Sequence, residues 1–143
     1  MTKDDAALQA EKQEYIDEMA RSRGYVLAYH KIMAKHDYDV LMAANDLVNA
    51  AYLRQRTLDP KTKELIFITS LTVMRATKGH IQSHIKVGLG LGLTAVEILE
   101  AIEIALPEAG VVAFQAGFEA WAEVVGADGL EPRVDVFNGS AEV

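Results

Sequence analysis

No cysteine occurs anywhere in these 143 residues. That absence excludes a disulfide framework, thiolate metal sites, iron–sulfur clusters and any thiol nucleophile. Basic residues are also scarce: 14 Lys+Arg face 21 Asp+Glu, for a formal charge of -7. A general nucleic-acid surface needs clustered Lys and Arg to meet phosphates, so no nucleic-acid partner is expected. The acidic balance still leaves room for a small anionic substrate in one local basic pocket. Long hydrophobic runs are missing too. The richest stretch, 65–74, is broken by Thr69, Ser70 and Thr72 and falls short of the roughly 18 apolar residues that a membrane span needs. Met1-Thr2-Lys3-Asp4-Asp5 is too acidic to open a secretory leader, and no apolar segment follows it. No membrane partner and a cytoplasmic location are therefore expected.

What is present is helical. Half the residues are hydrophobic and only three are proline. At roughly 150 residues per domain the chain reads as one all-α domain, long enough to bury a core without disulfides or structural metal. About seven helical segments follow from apolar positions at offsets of three and four. Leu8, Tyr15 and Met19 make a narrow stripe on the first, which Gly24 should stop. Tyr25, Tyr29, Ile32 and Met33 line the second, 25–36, and Asp37 or Asp39 can cap a third through Leu41, Leu47 and Leu53. Asp59-Pro60 is the clearest start, a carboxylate cap before a proline whose missing N–H costs nothing there. That helix should run to about Arg75, with a turn at Lys78-Gly79 and the next helix over 80–93. Thr94-Ala95-Val96-Glu97 is a capping box opening a helix with Leu99, Ile102 and Leu106 inward, ended by Pro107. Val111, Phe114, Phe118, Trp121 and Val125 stripe the last long helix, and 126–143 reads as an irregular tail.

Gly88, Gly90 and Gly92 each cost about 1 kcal/mol relative to Ala inside a helix, so something should offset them. Close helix packing is one reading, and backbone approach to a ligand is the other. A phosphate loop is not indicated, because no strand precedes them.

The chemistry concentrates in Thr77-Lys78-Gly79-His80-Ile81-Gln82-Ser83-His84. His80 and His84, four apart, project from one face, and His84 lies among apolar neighbours. Histidine can serve as general acid or base near neutrality, or as a core residue bonded to a carbonyl. The same pair could also hold a metal if Glu64 supplied a third ligand. Otherwise Glu64 is either a first-turn acid favoured by the helix dipole or a group that orients His84 across a helical hairpin. Arg75 and Lys78 are cations close enough in sequence to anchor a substrate carboxylate; a solvated face is the alternative.

The run from Leu58-Asp59-Pro60-Lys61-Thr62-Lys63-Glu64-Leu65-Ile66 through His84 to 92–102 resembles the carboxymuconolactone decarboxylase and AhpD-like alkylhydroperoxidase family, over about 58–125. The resemblance implies an all-helical bundle around a helical hairpin, assembled as trimers or hexamers. In the hydroperoxidase branch two cysteines precede the histidine; here those positions are Thr77 and His80, so thiol-dependent peroxide reduction is not supported. The decarboxylase branch needs no cysteine. By that resemblance His84 would act as acid/base, His80 as a second proton or hydrogen-bonding group, and Arg75 or Lys78 as the carboxylate anchor, while Glu64 matches the relay glutamate of the hydroperoxidase branch. The substrate would be a small carboxylated lactone or related acid, with no cofactor, since the lactone's conjugation is the electron sink. A ligand-binding member without catalysis and a His-ligated metal enzyme remain the alternatives.

Overall fold

A computed structural model describes residues 3–126, and the irregular tail expected beyond Gly126 lies outside them. Among the described residues the fold is all-α, with no strand: α1 (Lys3–Arg23), α2 (Ala28–His36), α3 (Tyr38–Val48) running into a π-helical turn (Asn49–Leu53), α4 (Pro60–Val73), α5 (Lys78–Gly90), α6 (Ala95–Glu103), the single turn α7 (Ala105–Ala109) and α8 (Val111–Val125).

Local chemistry sets most of these limits. The Asp59 carboxylate accepts the Thr62 N–H at 2.9 Å, so α4 starts where Asp59-Pro60 predicts. Thr94 and Glu97 close the capping box, with Thr94 N–H to Glu97 at 2.7 Å and Glu97 N–H to Thr94 at 3.1 Å. Four expectations are corrected. The second helix begins at Ala28 rather than Tyr25, because Gly24 turns the chain at φ +81° and Leu27 is extended. Lys78-Gly79 is the first turn of α5, and the bend comes earlier. There Arg75 takes φ 52° while Ala76 N–H reaches Leu71 O and Arg75 N–H reaches Thr72 O, a Schellman closure. Pro107 lies within α7 instead of ending α6, at a first-turn position where no N–H is required. The buried face of α8 is Ala113, Gly117, Ala120 and Ala122, while Val111 is exposed and Phe114, Phe118, Trp121 and Val125 are half-buried.

That last correction has a packing cause. A Cβ on Gly117 would sit 2.5 Å from Thr72 Oγ1 and 2.9 Å from Ile102 Cγ2, so α8 crosses α4 and α6 too closely for any side chain. Two cores result. Ile68, Leu71, Ile81, Ile85, Ile98 and Ile102 join α4, α5 and α6 beneath α8, while Ile16, Met19, Ala34 and Leu41 join α1 to α3. Between the cores, Lys63 Nζ donates to Tyr52 O at 2.8 Å and Arg54 O at 2.9 Å, tying the π-helical turn to α4.

Candidate functional site

The seam between the two cores is polar. Glu64 on α4 and His84 on α5 face each other across the hairpin, with Glu64 Oε2 2.8 Å from His84 Nδ1, at 1% and 0% exposure. The opposite ring nitrogen, Nε2, lies 3.1 Å from the Tyr25 hydroxyl. A charged carboxylate can only accept, so Nδ1 carries a proton. The Tyr25 hydroxyl then donates to Nε2 of the neutral ring, or accepts from it once the ring is protonated. One frame therefore holds both states of the imidazole, which a proton relay requires.

Aromatic rings fix that imidazole. Phe67 stacks on it at 4.6 Å with planes 6° apart, the Tyr25 ring meets it edge-on at 5.1 Å, and Tyr52 approaches to 5.8 Å. Tyr52 comes from the π-helical turn, which widens the helix so that its ring reaches Phe67 at 4.6 Å. Gly88, one turn beyond His84, leaves its space to Leu93 and lies 3.8 Å from Glu64 Cβ through its virtual Cβ, so close packing accounts for it. Gly92 instead supplies the φ of +89° after α5, and Gly90 meets nothing within 4 Å.

His80 is half-buried, its ring 5.4 Å from His84 and 6.4 Å from Tyr25. Burial lowers its pKa, and His84 adds to the effect. Burial raises the Tyr25 phenol; Arg23 opposes this and Glu64 reinforces it, so Tyr25 keeps its proton at neutral pH. The two expected cations lie elsewhere. Lys78 pairs with Glu123 of α8 at 2.7 Å on the surface. Arg75, exposed at the end of α4, is eleven residues from Glu64, or roughly 16 Å along the helix axis.

The cation that does approach is Arg23, at 6% exposure. No cationic motif in the sequence marks it, yet Ile16, Met19 and Arg23 are the buried residues of α1, at offsets of three and four. An arginine in core register is the signal. Tyr25 has a similar clue, since Gly24 breaks the helical spacing just before it. A metal on His80, His84 and Glu64 meets a chemical obstacle: both His84 nitrogens are already hydrogen-bonded. Among the described residues no group of three or more His, Asp or Glu gathers to hold one.

Fold and site together define an all-helical protein with a buried carboxylate–imidazole–phenol chain at the mouth of a helical hairpin. Residues 39–123, more than half of the chain, match the carboxymuconolactone decarboxylase family, and the chain belongs to it. No curated protein matches the chain.

Proposed function

We propose that this protein is a cofactor-free acid/base lyase or isomerase acting on a small carboxylated lactone or related acid. The observation that carries this reading is the chain Glu64–His84–Tyr25, closed at 2.8 and 3.1 Å. In a decarboxylation the bond from ring carbon to carboxylate breaks, carbon dioxide leaves, and the electron pair enters the conjugated lactone as a dienolate. Carbon is then protonated. Tyr25, half-buried, would give its proton to carbon as it takes the Nε2 proton of a protonated His84, so the imidazolium enters the step and leaves it as the neutral ring with its remaining proton on Nδ1. Glu64 keeps Nδ1 protonated and the ring oriented. His80, beside both rings, is a second hydrogen-bonding group to the substrate.

Turnover of carboxymuconolactone, followed by loss of lactone absorbance and release of carbon dioxide, tests the reading. Tyr25→Phe and His84→Gln should each lower kcat by about 100-fold or more, the usual weight of a positioned acid or base. Activity equal to that of the native protein in either variant removes that residue from the mechanism. A second reading, ligand binding without turnover, is favoured by the complete burial of His84. Saturable binding of the lactone with no conversion would establish it instead.

We also propose a homo-oligomer, a trimer or hexamer. Its support is an apolar corner where α6, α7 and α8 meet: Ile104, Leu106, Val111 and Val112 are 40% to 68% exposed.

A further inference from the structure

Among the described residues, Arg23 is a buried cation without a counter-charge. Its Nη2 donates to Asn45 Oδ1, and Asn45 Nδ2 in turn donates to the Tyr15 hydroxyl at 2.8 Å. The Nε–H of Arg23, fully shielded from solvent, has no hydrogen-bond partner among the described residues, and no carboxylate there lies within ion-pair distance. Burying a guanidinium so incompletely satisfied is costly, and natural cores seldom tolerate it without a role.

Its surroundings deepen the imbalance. His30, at 2% exposure, accepts the Leu27 N–H on Nδ1 at 3.0 Å, so in the neutral ring the proton sits on Nε2 as a donor. Arg23 and His80 both press electrostatically on His30, adding to its desolvation. Arg23 also faces the Tyr25 phenol, which contacts His84. Three nitrogen-bearing side chains from α1, α2 and α5 thus act on one region, and the carboxylate that reaches Tyr25, Glu64, is already engaged by His84. The region reaches the surface at His80 and Tyr25, both half-buried.

We propose that Arg23, with His30 and His80, is the seat for a carboxylate group of the ligand on which the Tyr25–His84–Glu64 chain acts. This rests on the acid/base reading for the ligand's fate, while the binding site rests on the buried, unpartnered Nε–H of Arg23. Arg23 Nε–H and the His30 Nε2–H are the donors, a carboxylate supplies the acceptors, and the anion lies beside the phenol that delivers the proton. The substrate class narrows accordingly: an acid that keeps one carboxylate on Arg23 while the reacting carbon faces Tyr25.

Titration of the full-length protein with succinate, following the ring signals of His30 and His80 by NMR, tests the site. Saturable displacement of both signals is expected, weakened about 10- to 100-fold in Arg23→Gln and in Arg23→Lys, which keeps charge but loses the planar fork. Should the buried changes prevent folding, His80→Leu is the variant to measure, with weakening of about threefold or more expected for a lost charge-assisted contact. No saturable displacement up to about 50 mM succinate, or undiminished binding in the folded variants, overturns the site. Lactone turnover by the native protein separates the two proposals. Succinate binding retained while every lactone goes unconverted leaves the site standing and removes the acid/base reading. Turnover whose KM ignores Arg23→Lys does the reverse.

Discussion

His30 should make the fold sensitive to mild acid. The residue is 2% exposed, and burial, Arg23 and then His80 lower its pKa from 6.5 to about 4. The neutral ring is therefore the native form, while the unfolded chain protonates near the ordinary histidine value. Between those two pKa values the unfolded state binds more protons, so stability falls as pH falls. The contribution is complete above pH 6.5, is lost progressively below it, and levels off near pH 4. At about 1.36 kcal/mol per unit, the whole window is worth at most about 3.4 kcal/mol, of which about 1.2 kcal/mol is lost between about pH 7 and about pH 5.5. His80, also lowered, adds loss of the same sign. Urea unfolding at a series of pH values measures the slope. In His30→Gln, whose amide oxygen can still accept the Leu27 N–H, most of it should vanish. A histidine signal for His30 that titrates near pH 6.5 in the folded protein, or an unchanged slope in the variant, refutes the reasoning.

Two glycines and one surface give further tests. Gly117→Ala should destabilise the fold by about 1–3 kcal/mol, because its Cβ would meet Thr72 at 2.5 Å and neither helix can retreat without opening the core. Gly90→Ala, with nothing within 4 Å, should instead stabilise by about 0.5–1 kcal/mol; equal effects in thermal melts would discredit the packing account. For the oligomer, light scattering should give a mass of three or six chains, and Val112→Glu should lower it. A native protein that is monomeric at micromolar concentration would refute the assembly.

The helix starts were written locally. Asp59-Pro60 and the Thr94–Glu97 box need only neighbouring backbone and side-chain atoms, so each is readable from its own residues. Exclusion of thiol chemistry was equally direct, since no fold can supply an absent cysteine. The Glu64–His84 contact was half legible: spacing placed each on its helix, and an antiparallel hairpin was required to bring them within 2.8 Å. The aromatic stripe of α8 misled because the closest helix crossings select the smallest side chains, and hydrophobic spacing alone ranks large residues above Ala and Gly.

By itself, then, the sequence determined an all-helical, cysteine-free chain with Glu64 and His84 on successive helices, because periodicity, caps and residue identity act over a few positions. Tertiary structure alone decided what surrounds that pair. Tyr25 reaches Nε2 only because Gly24 releases it from a helix, and Arg23 becomes a buried cation only when α1 packs on α2 and α3. Lys78, the nearer cation in sequence, was drawn instead to Glu123 on the surface. Charges separated along the chain meet according to how helices pack, and desolvation, which decides what those charges can do, exists only once they have met.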